Sequence, residues 1–137
     1  MVADLLQLDK FVLGGMSMGG YISLRFALSH SERLSGLILM ATQAEQDPPE
    51  IASSYMELCD GWQDPIIKEN IISSLLPVFF GNNISEAETW RQVWLGHKPE
   101  NIRNAMNAML ERDDISERIQ IITTPTLIIH GARDTGI

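Results

Sequence analysis

Phe11-Val12-Leu13-Gly14-Gly15-Met16-Ser17-Met18-Gly19-Gly20-Tyr21 is the stretch on which the reading turns. Three apolar residues run into a glycine pair, as a buried strand does. From Ser17 the pattern changes. Tyr21, Ile22, Leu24, Arg25, Phe26 and Leu28 mix apolar and polar positions at roughly helical spacing up to about His30. Between strand and helix stands Gly15-Met16-Ser17-Met18-Gly19, a G-x-S-x-G pattern in the strand–turn–helix context that gives it meaning. A serine at the tip of such a turn has strained backbone angles and projects its hydroxyl outward. Glycines two residues to either side, Gly15 and Gly19, are expected to remove side chains that would collide where the turn folds back. The helix that starts there points backbone N–H groups and the positive end of its dipole at a developing oxyanion, with the Met18 N–H as the expected donor. A chance match to the pattern somewhere in a chain of this length is roughly a 5% event, and the flanking strand and helix make it rarer.

Working outward, Gly36-Leu37-Ile38-Leu39-Met40 reads as a second buried strand. Thr126-Leu127-Ile128-Ile129-His130 reads as a third, preceded by Pro125 and ended by Gly131. Leu5, Leu6 and Leu8 suggest a short helix at the start. Residues 43–112 read as helical. Pro48-Pro49 interrupts what precedes it, and Asp64-Pro65 is a helix start with Asp as N-cap and Pro at the first position. Ser85 with Glu88 fits a capping box ahead of Trp90, Val93 and Trp94. Pro99 opens a helix carrying Ile102, Met106, Met109 and Leu110 at 3–4 spacing. Strand, helix, strand, helical block, strand is an α/β order, and continuous apolar strands imply a parallel sheet covered on both faces. The helical block is long for a simple crossover and reads as an insertion. The expected organisation is an α/β core at 1–42 and 113–137 with a helical cap at 43–112.

The chain has 137 residues, enough for one compact domain, with 45% hydrophobic and 20% charged residues. Its net charge of −8 argues against nucleic-acid binding and against docking on an anionic membrane. The single cysteine, Cys59, supports neither a disulfide framework nor a zinc cluster. The N-terminal residues lack a signal-peptide pattern, and no stretch reaches the roughly 18 apolar residues of a membrane span. A cytoplasmic protein is the expectation.

The segment Phe11–Tyr21 resembles the nucleophile segment of α/β-hydrolase-fold enzymes, most closely the esterase, enol-lactonase and non-haem haloperoxidase-like branch, in which S-M-G-G is frequent. Ser31-Glu32-Arg33-Leu34-Ser35-Gly36-Leu37-Ile38-Leu39 resembles that family's P-E-R-V-x-G-L-V-L stretch, with Ser31 where proline is common. Pro125-Thr126-Leu127-Ile128-Ile129-His130-Gly131-Ala132-Arg133-Asp134 resembles the P-T-L-x-x-x-G-x-x-D strand that delivers the triad acid. The matches lie at both ends of the chain in the right order, and the middle corresponds to a cap. The resemblance implies a partial α/β-hydrolase fold: about three parallel strands, flanking helices and a helical cap insertion.

The resemblance further implies a triad in the order serine, acid, histidine. Ser17 then stands as nucleophile, Met18 as oxyanion donor and Asp134 as the acid that orients an imidazole. Glu45 and Asp47 are outside candidates for the acid. The histidine should follow Asp134, whereas His30, His97 and His130 all precede it. His30 ends the helix behind the serine, His97 lies between cap helices, and His130 closes the third strand, where the family places no base. No catalytic base is therefore assigned within the chain. The family also carries strands ahead of the nucleophile strand, with a loop, often His-Gly, supplying a second oxyanion donor. No such motif precedes Leu13. The chain is thus expected to be incomplete at both ends, with one side of the first strand unpaired and self-association through that edge.

The function so implied is that of a serine hydrolase acting on a small ester, lactone or thioester through an acyl-enzyme, with no metal and no organic cofactor. Trp62, Trp90, Trp94, Phe79, Phe80 and the methionines of the helical block are either the lining of an acyl pocket or the block's own core. The competing expectation is a truncated, inactive fragment or a non-hydrolytic binding relative, because the triad histidine is absent.

Overall fold

Leu34–Met40 is the strand around which the α/β part of the chain is laid out. In the computed structural model, which describes residues 2–81 and 83–134, the order is α1 (Val2–Leu5), β1 (Phe11–Met16), α2 (Met18–Ser29), β2 (Leu34–Met40), α3 (Pro49–Gly61), α4 (Pro65–Phe80), α5 (Ile84–Leu95), α6 (Pro99–Leu110) and β3 (Thr126–Ile129). Single 3-10 turns lie at Ser31–Arg33 and Ile119–Ile121. The chain forms two compact units, one running up to Gln46 and resuming at Asp113, the other spanning Asp47–Arg112.

In the first unit the strands are parallel in the order β1-β2-β3. Leu13 pairs with Leu37 and Met16 with Met40 on one side of β2, and Leu37 pairs with Thr126 and Met40 with Ile129 on the other. β1 continues through Gly14 and Gly15 to Met16, beyond the apolar run that marks it in the sequence, because Ile38, Leu39 and Met40 supply register partners there. α2 turns Tyr21, Leu24 and Ala27, spaced three apart, into the interior. Leu24, Ala27, Leu34, Leu37, Leu39 and Ile115 make the core, with Phe11, Leu13, Phe26, Leu28, Ala44 and Ile122 packed against it. Burying a leucine such as Leu37 is worth roughly 2 kcal/mol.

The sheet departs from the expectation that both faces are covered along every strand. β2, flanked on both sides, is the buried strand. β3 is exposed throughout, with Leu127, Ile128 and Ile129 at 54%, 73% and 48%. On β1, Val12 and Met16 are 57% and 63% exposed. Two features account for this: among the described residues α2 packs on β1 and β2 while no helix packs closely on β3, and β1 and β3 each have a strand neighbour on one side only.

The second unit is four helices. Asp64 caps α4, accepting from the Ile66 and Ile67 N–H groups, and Pro65 occupies the first turn as expected. Pro49 likewise opens α3, so the proline pair starts a helix as well as interrupting the segment before it. The capping box at Ser85 and Glu88 is not formed. The Asn83 side chain caps α5, accepting from the Glu86 N–H, and leaves Ser85 inside the first turn. Gly81 ends α4 at φ +54°, a conformation that favours glycine. Cys59, Trp62, Ile72 and Met109 are the buried hydrophobic residues of this unit. The Trp62 indole N–H and the Lys68 ammonium both donate to the His97 carbonyl, and the ammonium lies 5.4 Å from the centre of the indole ring. No helix among the described residues is long and apolar enough to cross a membrane.

Candidate active site

Ser17 lies between β1 and α2 with φ 49° and ψ −120°. Such a conformation costs a non-glycine residue on the order of 1–3 kcal/mol and persists only where the surroundings over-determine it. The surroundings here do so. The Ser17 N–H donates to the Met40 and Ala41 carbonyls, both at 3.0 Å, and the Ser17 carbonyl accepts from the Gly20 and Tyr21 N–H groups at 2.8 and 3.2 Å. The Thr42 hydroxyl donates to the same carbonyl at 2.9 Å. Ala41 is itself at φ 39°. The Ser17 side chain makes no hydrogen bond to the helix it precedes. Its hydroxyl is thereby left available for chemistry at the carboxyl edge of the sheet, where open α/β sheets place their sites.

Of the four glycines around the turn, Gly15 and Gly20 are sterically required. A Cβ on Gly15 would overlap the Gly19 carbonyl and the Ser23 hydroxyl, which itself donates to that carbonyl at 2.8 Å. A Cβ on Gly19 would meet nothing within 4 Å, which corrects the expectation that Gly19 avoids a collision. The crowded position is Gly20, where a Cβ would overlap the Thr42 side chain. Met18, the first residue of α2, contributes one of the N–H groups that have no carbonyl one turn earlier to receive them. Twelve residues of helix stand behind that N–H. Gly20, Ala41 and Thr42 escaped the sequence reading. The Gly19-Gly20 doublet is a signal for the first, and nothing in the chain near Thr42 marks the other two.

Asp134 lies beyond the carboxyl end of β3, its N–H donating to the Gly131 carbonyl at 3.0 Å in a tight turn, and it is exposed. Ser17 and Asp134 thus follow β1 and β3 at the same edge, with β2 between, so their strands stand about 10 Å apart. His130 is at that edge as well. It helps line a cavity of about 160 Å³ with Leu24, Leu39, Ala41, Thr42 and Ile129. His30 caps the opposite end of α2, about 18 Å of helix away from Ser17. Its ring packs 5.1 Å from that of Phe26. His97, Glu45 and Asp47 lie outside the Ser17 turn. His97 and Asp47 belong to the helical unit, and Glu45 is exposed on the segment after β2. Among the described residues, no three His, Cys, Asp or Glu side chains gather as a metal-binding group.

Arg25 ties α2 to the segment that resumes the α/β unit. Its guanidinium donates to the Asp113 carboxylate at 2.9 and 3.2 Å and to the Asp113 carbonyl, and also reaches the Tyr21 carbonyl. Those hydrogen bonds from Arg25 hold the Asp113 carboxyl below the usual carboxylate range. In the helical unit, Trp62 is core, whereas Phe79 and Trp90 are 65% and 42% exposed. Phe80 stacks on Trp90 at 6.3 Å, and Phe79 meets Trp94 edge-on at 5.6 Å.

A parallel sheet with a serine on a strained strand-to-helix turn at its carboxyl edge is the architecture of the α/β hydrolases. The sequence profile of the family described as serine aminopeptidase, S33, matches residues 2–136, and the chain belongs to that family of α/β hydrolases. It is similar to a 2-hydroxy-6-oxononadienedioate/2-hydroxy-6-oxononatrienedioate hydrolase of Paraburkholderia phymatum, with 27% identity over 97% of this chain and 49% of the relative. Among solved structures it is similar to a thermophilic esterase from Thermogutta terrifontis, with a TM-score of 0.82 and 32% identity over 95% of this chain and 50% of the other. It also shares its fold with the enol-lactonase from Burkholderia xenovorans LB400, with a TM-score of 0.81 and 22% identity over 98% and 52%. The chain spans about half the length of the relatives it matches.

Proposed function

We propose that this chain is the nucleophile- and acid-bearing part of a serine hydrolase acting on a small ester, lactone or thioester. The observation that carries the reading is the Ser17 turn: a non-glycine residue held at positive φ, its hydroxyl uncommitted to the helix cap and the N-terminus of a twelve-residue helix beside it. In this reading Ser17 Oγ attacks the substrate carbonyl. The Met18 N–H, backed by the α2 dipole, stabilises the oxyanion. An imidazole takes the serine proton and returns it to the leaving group, and Asp134 holds that imidazole in the correct tautomer. Water then releases the acyl group by the same route. His30, at the far end of α2, is not placed to be the base, and the reading assigns the base to the half of the relatives' length that this chain does not span. An esterase and an enol-lactonase among the similar proteins support the ester and lactone part of that substrate class, and the oxononadienedioate hydrolase supports hydrolysis more generally.

Fluorophosphonate labelling of the purified chain, with free imidazole added to stand in for the base, beside a Ser17→Ala control tests the reading without knowledge of the substrate. Labelling that disappears in the control is the expected result for an assembled site. Folded protein that labels equally with and without the Ser17 hydroxyl would exclude Ser17 as the nucleophile. Folded protein that does not label at all would favour the second reading, a non-hydrolytic chain. That reading draws on the absence of an imidazole from the Ser17 turn among the described residues.

A further inference from the structure

Two independent constraints converge on the side chain of Thr42, a residue outside every motif of the sequence. The first is a hydrogen bond. The Thr42 hydroxyl donates to the Ser17 carbonyl at 2.9 Å, across 25 residues of sequence. With the Ser17 N–H given to Met40 and Ala41, the segment 40–42 grips the peptide groups on both sides of the Ser17 Cα. The second is steric. The Thr42 side chain fills the space that a Cβ on Gly20 would need, so the first turn of α2 lies directly against it. Ser17 and Ala41 are two non-glycine residues at positive φ, joined by the Ser17 N–H to Ala41 carbonyl hydrogen bond. A strained pair of this kind holds its geometry only while its cross-links hold.

We propose that Thr42 is a positioning residue for the nucleophile. Its hydroxyl fixes the Ser17 carbonyl, and with it the Ser17–Met18 peptide whose N–H faces the oxyanion, while its methyl group seats α2 against the end of β2. The carbonyl and the N–H belong to one planar peptide, so rotating the first away from Thr42 rotates the second away from the site. Nothing else about Thr42 suits it to chemistry, since its hydroxyl proton is already committed to Ser17. The catalytic consequence rests on the hydrolase reading above. The structural consequence does not.

The test compares the wild-type chain, Thr42→Val, which keeps the shape and loses the hydroxyl, and Thr42→Ser, which keeps the hydroxyl and loses the methyl. Ser17→Ala serves as the blank. The readouts are the fluorophosphonate labelling rate with free imidazole added as the base, the melting temperature, and the Ser17 carbonyl 13C shift with the exchange rates of the Gly20 and Tyr21 amides. Thr42→Val should slow labelling about tenfold, the scale of one hydrogen bond acting on an attacking group, and Thr42→Ser should recover most of the rate. A merely structural role would lower the melting temperature and leave the rate of the folded fraction alone. Equal rates in wild type and Thr42→Val, or equal losses in Val and Ser, would overturn the proposal. If the wild-type chain does not label, the hydrolase reading has failed for this chain and the spectra decide. A Ser17 carbonyl resonance that moves upfield in Thr42→Val and returns in Thr42→Ser upholds the positioning role, and an unmoved resonance overturns it. Should Thr42→Val not fold, Thr42→Ala against Thr42→Ser carries the same comparison.

Discussion

The guanidinium of Arg112 donates to the carboxylate of Asp47 at 2.7 Å, with the two side chains only 4% and 10% exposed. These are the last and first residues of the helical unit, so one buried ion pair closes the loop of chain that forms it. Arg112 also donates to the Met109 carbonyl at 2.7 Å, which anchors the pair to the end of α6. Removing one partner strands a buried charge. Arg112→Met and Asp47→Asn are each expected to destabilise the helical unit by about 3–5 kcal/mol. Replacing both together with apolar residues of similar volume should cost far less. Urea unfolding followed by far-UV circular dichroism on the full double-mutant cycle measures the coupling. Additive effects would show that the pair contributes nothing as a pair.

The two glycines of α2's first turn should respond in opposite directions. A Cβ on Gly19 enters open space, so Gly19→Ala gains helix propensity and should stabilise the chain by up to about 1 kcal/mol. Gly20→Ala drives a methyl group into Thr42 and should destabilise it by about 1–3 kcal/mol. Thermal melts of the two variants side by side decide the matter, and a destabilised Gly19→Ala with a tolerated Gly20→Ala would reverse the assignment of the crowded position.

Acid should loosen the joint between α2 and the segment at Asp113. The Asp113 carboxyl is held below its ordinary value, first by hydrogen bonds from Arg25 and further by the positive charges of Arg25 and Arg118. A carboxyl whose folded-state pKa is depressed contributes stability that is fully present above the unfolded value of about 3.9 and is lost as pH falls through the lower folded value. Asp113→Asn should therefore flatten the acid limb of the stability profile below about pH 4 and leave its neutral-pH slope unchanged. Unfolding midpoints measured from pH 2 to 7 test this, with Arg25→Met expected to flatten the same limb.

Cys59 should be silent in the native chain. It is 1% exposed, and burial pushes its thiol up, further from the reactive thiolate. A disulfide-exchange reagent is expected to react only after denaturation. Rapid stoichiometric reaction under native conditions would mean that the helical unit opens readily.

Association should follow concentration. Val12 and Met16 on one edge strand and Leu127, Ile128 and Ile129 on the other present apolar side chains beside strand edges. Sedimentation velocity should show oligomers that grow with concentration, and Val12→Lys or Ile128→Lys should suppress them. A single monomer boundary at high concentration would contradict this.

Much of the fold was legible because its signals are local. Leu37-Ile38-Leu39 and Leu127-Ile128-Ile129 are apolar runs bounded by glycine or proline. Asp64-Pro65 is a helix start whose chemistry resides in two adjacent residues. The misreadings came where the deciding contact is distant or the local rules compete. At α5, Asn83 and Ser85 are both competent caps, and a sequence pattern does not rank them. At the turn, Gly19 and Gly20 are adjacent glycines, and which one is crowded depends on Thr42, more than twenty residues away. At β3, an apolar run signals a need for cover on both faces, and the described residues leave much of that strand bare. The Ser17 turn itself was legible because glycine, serine and glycine at that spacing coincide with the change from strand to helix.

The scheme that holds Ser17 uses its amide N–H and its carbonyl, and its side chain takes no part in the helix cap. Holding and reacting are therefore separate properties of one residue. The turn acts as a socket that grips whatever residue stands at position 17 by its main chain. Exchange of the serine for cysteine or aspartate leaves every cross-link to Met40, Ala41, Thr42, Gly20 and Tyr21 in place. The architecture can thus change its reagent, from hydroxyl to thiol to carboxylate, without first having to rebuild the bend that presents it.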